Sequence, residues 1–469
     1  MSLPPTMGDA AAALRRGETS SVALTEASIA GADALDERLG VYVTRFDDHA
    51  LERADAADRE LAAGTDRGPL HGMPIGVKDI LAMREGPTTA QSLILDDAWG
   101  RDRDAIVVER LKAAGAVITG KTTTMEFAVG APDPDKPFPL PRNPWDLERY
   151  TGGSSSGTAN GVAAGLMVAG VGTDTGGSIR CPAAFCGVTG LMPTYGRVPN
   201  AGCVPLGWSL DRIGPLARSA RDCGDFLAAI AGPDPRDPYA VERPLPAAAG
   251  LDGSLAGLRV GVERANHFGG EEDPATAPVF DAAAAELEAL GASVVEVVIP
   301  HYAEACTALW VTMVAEALAY HRGDLAGRWD DYFASTRLTV GSGALVSAAD
   351  YVQAQRVRRV AQRGLSKVFE TVDLIAMPSS SKPAMTLDQL AREDVGGMVA
   401  PLHLMYWNAV GNPTLVVPMG FTADQLPLSL QLAAPPFGEA ALVRAGDAYQ
   451  RATDWHLRVP PVSAARLSG

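Results

Sequence analysis

The sequence predicts one large α/β domain, and three observations carry that reading. Leu70 to Ile80 reads LHGMPIGVKDI, a short β-like apolar run punctuated by Gly and Pro. It is followed by an amphipathic helix over Asp104 to Ala114 and by the strand-like Ala116 to Thr119. Such a strand, helix, strand succession buries one sheet beneath helices. Further on, LRVGV at Leu258 to Val262, an Ala/Glu/Leu helix from Val279 to Leu290 and ASVVEVVI at Ala292 to Ile299 form a second βαβ unit. Composition never shifts enough to cut the 469 residues, although length alone would permit two or three domains.

Taken in order, residues 1–60 read as helices. Ala10 to Leu14 is apolar-periodic, and Thr19-Ser20-Ser21 offers an N-cap before Val22 to Ile29. Residues 65–225 carry the glycine-rich motifs and form the predicted core. Residues 226–257, rich in Pro, Ala and Gly from Gly232 onward, read as a surface connection. Residues 258–469 supply the rest: helices over Cys306 to Tyr320 and Val352 to Phe369, and buried strands at Leu374 to Met377, Thr414 to Pro418 and Leu428 to Leu432. A last helix lies near Ala440 to Ala452.

Composition excludes several function classes. An apolar fraction of 47% belongs to a folded globular chain. Forty Lys+Arg against 56 Asp+Glu leave a net charge of −16 with no basic block, so neither nucleic acid nor an anionic membrane is expected as a partner. Met1 to Ser21 lacks the apolar core of a signal peptide, and no run approaches the ~20 apolar residues of a membrane span, which predicts a soluble, cytoplasmic protein. The five cysteines, Cys181, Cys186, Cys203, Cys223 and Cys306, are an odd number and are expected as free thiols. There is no Cys-x-x-Cys and no His-Glu-x-x-His, and the seven histidines are scattered, so neither metal nor cofactor is expected.

Two motifs satisfy familiar patterns in the wrong context. Gly115 to Thr122 spells G-x-x-x-x-G-K-T, a phosphate loop letter for letter, but a helix precedes it and its intervening Ala-Val-Ile-Thr is itself strand-like. Gly153-Ser154-Ser155-Ser156-Gly157 spells G-x-S-x-G, which would make Ser155 the nucleophile of an α/β-hydrolase-type esterase with His403 or His456 as base. The residues before it, Pro144 to Gly152, are not the buried strand that such an elbow needs.

The segment Thr151 to Thr194 is more specific. Two serine-bearing glycine turns, Gly152-Gly153-Ser154 and Gly176-Gly177-Ser178, bracket an Ala/Gly/Val stretch read as a tightly packed helix and then a strand over Met167 to Gly172. Consecutive N–H groups in a glycine turn beside a serine hydroxyl are the means of holding an oxyanion. Together with GGSSSG, GTDTGGSIR, PAAFCGVTGL and PTYGRV, and upstream PIGVKD, GKTTTMEFA and NPWD, this segment resembles the amidase signature family. A weaker match extends to Asn408 to Gly420. The resemblance implies a mixed central sheet covered by helices on both faces, and a Ser-cisSer-Lys triad. Ser178 would be the nucleophile, Ser154 the bridging serine and Lys78 the base, with the two serines 24 residues apart as in the family.

A serine hydroxyl needs a base within hydrogen-bond reach, and Lys78 serves only when neutral. Burial among Ile75, Val77 and Ile80 would favour that, and Asp79 would oppose it if it pointed the same way. The N–H groups of Thr175, Gly176, Gly177 and Ser178 are the expected oxyanion hole, and Asp174 and Arg180 are expected to hold the turn from behind. The resemblance also implies a substrate. Glutamine amidotransferase subunits of the family typically carry an acid in the late segment, here VAPLHLMYW at Val399 to Trp407, whose one polar residue is His403. That favours a neutral, apolar amide, anilide or carbamate (urethane) as small-molecule substrate of an arylamidase-like or urethanase-like monomer or homodimer. The alternative is an amidotransferase-type subunit whose activity depends on a complex. Met125, Phe127, Phe138, Trp145, Trp310, Met405, Tyr406 and Trp407 are the expected pocket walls. Met192 departs from the family, which often has Lys there.

Overall fold

The computed structural model describes residues 2–244 and 251–467. Thirteen strands are formed among them, in chain order β1 (Tyr42–Arg45), β2 (Pro74–Lys78), β3 (Val117–Thr122), β4 (Arg142–Asn143), β5 (Asp146–Tyr150), β6 (Ala169–Asp174), β7 (Thr189–Met192), β8 (Arg212–Ala217), β9 (Arg259–Glu263), β10 (Ser293–Val297), β11 (Leu374–Pro378), β12 (Thr414–Phe421) and β13 (Pro427–Ala433). Eleven build one sheet in the order β1-β3-β2-β6-β8-β7-β12-β13-β11-β9-β10, and β4 and β5 form a separate hairpin. The sheet is mixed. β2 runs parallel to β3 and β6, and β9 parallel to β10 and β11, while β8, β7, β12 and β13 are joined antiparallel. Helices flank it, and every residue of β2, β3, β6, β7, β8, β11 and β13 is buried, as strands covered on both faces must be.

The βαβ unit predicted after Leu258 is formed by β9, the helix Thr276–Ala289 and β10, with Ser293 opposite Arg259 in parallel register. Ser20 caps the second helix, Ser21–Leu39, by accepting the N–H of Ala23. The predicted surface connection begins later than residue 226. The helix Ala220–Ile230 continues through it because Phe226, Leu227 and Ile230 are buried in the core, and the part of the connection over residues 245–250 lies outside the described residues.

The phosphate-loop lookalike is strand. β3 contains Gly120, Lys121 and Thr122, and Lys121 is wholly buried with its Nζ 3.0 Å from Asp79 Oδ1. The small residues of the helix Ser156–Ala164 are explained by its close approach to the sheet. A Cβ on Gly157 would stand 2.2 Å from the Val41 carbonyl oxygen and 2.5 Å from the Thr123 nitrogen. No helix among the described residues is long and apolar enough to cross a membrane, and all five cysteines are unpaired.

Candidate active site

Ligands of α/β sheets ordinarily sit outside the carboxyl ends of parallel strands, and the neighbouring parallel strands β2 and β6 end on Lys78 and on Thr173-Asp174. Lys78 is fully buried. Its Nζ lies 2.7 Å from Ser154 Oγ and 2.8 Å from Thr173 Oγ1. Burial lowers Lys78 to about 7, against the opposing pull of Asp174 and Asp211, so a large share of the amine is uncharged at neutral pH. Asp79 does not point the same way. Its carboxylate meets Lys121 and accepts the N–H of Thr89 at 3.1 Å as well as the Thr89 hydroxyl.

Each serine turn leads into a helix, Ser156–Ala164 or Arg180–Cys186. The Gly153–Ser154 peptide bond is cis, and the Ser155 N–H donates to the Ser178 carbonyl at 3.1 Å, which joins the two turns. Ser154 is buried, whereas Ser178 is partly exposed on the wall of an apolar pocket. Gly177 has φ +135, a conformation favoured by glycine, and a Cβ there would stand 2.8 Å from Leu404 Cδ1.

Of the four N–H groups expected to line the oxyanion hole, that of Gly177 is already taken. The Gly177 N–H donates to Asp174 Oδ1 at 2.8 Å, because that carboxylate caps the turn and takes the Ile179 N–H at 3.0 Å as well. Among the described residues the N–H groups of Thr175, Gly176 and Ser178 have no acceptor. Asp174 is in turn gripped by Arg180, with Nε and Nη2 each 3.0 Å from a carboxylate oxygen, and by Asn408 Nδ2 at 2.8 Å. Burial alone would raise Asp174, but the Arg180 guanidinium and these hydrogen bonds hold it well below the usual carboxylate range. Arg180 is anchored further by Nη1 donating to the Leu404 carbonyl and to Gln431, at 2.8 and 2.9 Å.

Ser155 is occupied elsewhere. Its Oγ donates to the Thr173 carbonyl and accepts the Thr173 N–H, both at 3.2 Å, and the strand before it, β5, pairs with β4 outside the main sheet. An elbow nucleophile needs that hydroxyl free and a buried strand before it.

Met125, Trp310 and Met405 line the pocket beside Ser178 and the glycine turn, joined by Phe185, Met313, Met398 and Leu402. Phe127, Phe138 and Tyr406 do not. Phe127 packs edge-on against His321 at 4.3 Å, Phe138 faces Phe333, and Tyr406 stacks on Tyr302 with its hydroxyl donating to the Pro300 carbonyl. Nor do Trp145, whose Nε1 donates to the Cys186 carbonyl, and Trp407, which is core. Among the described residues the lining contains no charged side chain. His403 turns away, its Nδ1 3.2 Å from the Pro378 carbonyl and its ring against His267, and burial lowers it to about 3.

A family model described as Amidase matches residues 23–443. The chain belongs to the amidase family. It is 41% identical to a subunit of the glutamyl-tRNA(Gln) amidotransferase of Roseiflexus sp. (strain RS-1), a match covering 97% of this chain and 98% of that protein. Among solved structures it resembles the peptide amidase from Stenotrophomonas maltophilia, at 30% identity and a TM-score of 0.83, covering 96% of this chain and 97% of that one. It also resembles an inhibitor-bound chain from a vestigial protein complex bearing on the origins of an s-triazine catabolic enzyme. There the identity is 32% and the TM-score 0.88, with 95% of this chain and 98% of that one covered. This amidase is therefore an enzyme acting on C–N bonds.

Met192, where the resemblance implied lysine, is held by two buried polar side chains. The Met192 sulfur accepts from Arg212 Nη1 at 3.7 Å and Asn408 Nδ2 at 3.3 Å, so a lysine there would face the buried guanidinium of Arg212. Sequence reasoning missed Thr173, the second partner of the Lys78 amine, and Asn408, which braces Asp174 and Arg180. Thr173 lies one residue before the highlighted Asp174, and only the pairing of β2 with β6 reveals what it faces. Asn408 opens the late segment that carries the family resemblance, some 230 residues away from its partners.

Proposed function

We propose that this amidase hydrolyses neutral, apolar amides, with anilides and carbamates included, through an acyl-enzyme on Ser178. The observation that carries the reading is an apolar pocket free of charged side chains around Ser178, next to a lysine lowered to about 7 that is hydrogen-bonded to Ser154. Ser178 Oγ attacks the substrate carbonyl and its proton passes through Ser154 to the neutral amine of Lys78. The free N–H groups of Thr175, Gly176 and Ser178 stabilise the tetrahedral oxyanion, each donor worth roughly 3 to 4 kcal/mol. As the C–N bond breaks, Lys78 returns the proton through Ser154 to the departing nitrogen. Water then attacks the acyl-enzyme, gives its proton to the same relay and releases the acid. A carbamate joined through its carbonyl would leave an alkoxycarbonyl-enzyme, which water converts to alcohol and carbon dioxide. Free glutamine is disfavoured, since its ammonium and carboxylate would lose water with no charged partner in the lining.

The test is hydrolysis by the purified chain of neutral p-nitroanilides, aryl amides and aryl carbamates beside glutamine, in wild type and Ser178→Ala. Turnover of the neutral substrates that vanishes in Ser178→Ala supports the reading, and unchanged turnover in that variant overturns it. A second reading, an amidotransferase-type subunit, is favoured by the 41% identity to the Roseiflexus amidotransferase component. It predicts glutamine hydrolysis, arising only with a protein partner, and no action on neutral anilides.

A further inference from the structure

Thr175 opens the glycine turn, and its side chain and main chain face different tasks. Its N–H is one of the three without an acceptor among the described residues, while its hydroxyl donates to Asp211 Oδ1 at 2.5 Å. Asp211 is buried and directly precedes β8, whose Arg212 pairs with Asp174 at the end of β6. The carboxylate therefore stands on the sheet itself and reaches across to the turn that leaves the neighbouring strand. It also takes the N–H of Leu206 at 3.0 Å and of Gly207 at 3.1 Å, and Leu206 lines the same pocket as the turn. Burial raises Asp211 to about 6, and the hydrogen bonds from Thr175, Gly207 and Leu206 work against that rise.

We propose that Asp211 is a positioning residue for the oxyanion site: its bond to the Thr175 hydroxyl is a strut that fixes where the free N–H groups of Thr175 and Gly176 point. The proposal rests on the acyl-enzyme reading given above. Stabilising an oxyanion requires donors held in advance at the place where charge develops, so a turn that drifts loses rate while leaving ground-state binding nearly intact. Asp174 fixes the far end of the same turn through Gly177 and Ile179. At the Thr175 end, Asn408 Nδ2 donates to the Asp174 carbonyl at 3.3 Å, and among the described residues Asp211 is the anchor that acts through the Thr175 side chain.

The experiment uses the full chain in five forms: wild type, Thr175→Val, Thr175→Ser, Asp211→Asn, and Thr175→Val with Asp211→Asn. The first readout is the rate at which an activated phosphonate labels Ser178, since the adduct places an oxygen where the oxyanion would sit. The second is kcat and KM on a p-nitroanilide, with melting temperature measured in parallel. Expected are losses of about 10- to 100-fold in labelling rate and kcat for Thr175→Val and Asp211→Asn, with KM within about threefold. Thr175→Ser, which keeps the hydroxyl, should stay within about threefold of wild type, and the double variant should lose no more than the worse single one. Wild-type labelling in Thr175→Val overturns the proposal, as do equal losses in the Val and Ser variants or a loss confined to KM. If Asp211→Asn does not fold, the Val and Ser pair at position 175 decides. Labelling of wild type at a residue other than Ser178 would instead mark failure of the acyl-enzyme reading.

Discussion

Lys78 Nζ and Ser154 Oγ lie 2.7 Å apart with both side chains sealed from solvent. An amine in that place can take a proton only if it is neutral, and burial provides for that. Lys78→Met should lower kcat at least about 10⁴-fold, on the scale of removing a relay that acts as a unit. Lys78→Arg should not restore activity, since a guanidinium stays protonated. Steady-state hydrolysis of a p-nitroanilide and phosphonate labelling of Ser178 check both.

The pH profile follows from the same amine. With Lys78 near 7, the active neutral form is lost as pH falls through that value, so kcat/KM should rise with pH, reach half its plateau near 7 and level off above. Stability carries the matching signature. Between about 7 and the ordinary 10.5 the unfolded chain holds the proton that the folded chain has released, so wild-type stability rises with pH across that window. Lys78→Met should abolish that part of the slope, as denaturant titrations at several pH values would reveal.

Asp79 and Lys121 form an ion pair in which neither side chain is exposed. Asp79→Asn would leave a buried ammonium without its counter-charge, at a cost of about 3–5 kcal/mol. Replacing both partners together, Asp79→Asn with Lys121→Met, should recover most of that loss. Urea unfolding midpoints of the single and double variants measure the difference.

Gly157→Ala tests the packing that brings the first serine turn to the sheet. Its new methyl group would meet the Val41 oxygen at 2.2 Å, a backbone atom that cannot step aside. A loss of about 3 kcal/mol or more, or failure to accumulate as folded protein, is expected, and circular dichroism melting of the purified variant checks it.

Met405 and Tyr406 are adjacent in sequence but differ in duty. Met405→Ala, in the pocket, should raise KM for an apolar anilide about fivefold. Tyr406→Phe removes a hydroxyl that donates to the Pro300 carbonyl, and should cost about 1 kcal/mol of stability with kcat/KM within about twofold of wild type. Kinetics and melting of the two variants, taken side by side, separate binding from packing.

Most elements are legible in the sequence because their local signals agree. Ser20 offers a cap where the helix Ser21–Leu39 begins, β9 and β10 alternate with a helix of the right length, and the phosphate-loop lookalike carries a strand pattern and is a strand. The pocket is less legible. Phe127, Phe138 and Tyr406 are aromatic residues near chemistry-bearing motifs, yet each is absorbed by packing on other rings, since a large apolar side chain fits core and pocket wall alike. The glycine turn shows the same limit. Four N–H groups in a row look equivalent in sequence, and only the folded position of Asp174 removes Gly177 from the set.

What the sequence by itself determined is the α/β class, the paired serine turns and the lysine that ends β2, because periodicity, glycine placement and residue type are properties of short stretches of chain. The tertiary structure alone decided which groups face one another. Lys78 meets Thr173 as well as Ser154, Asp79 turns to Lys121, Asp211 reaches Thr175, and methionines from distant segments close an uncharged pocket over Ser178. Those choices depend on strand order and register in an eleven-stranded sheet, where partners from 36 to 234 residues apart become neighbours. No local pattern encodes them.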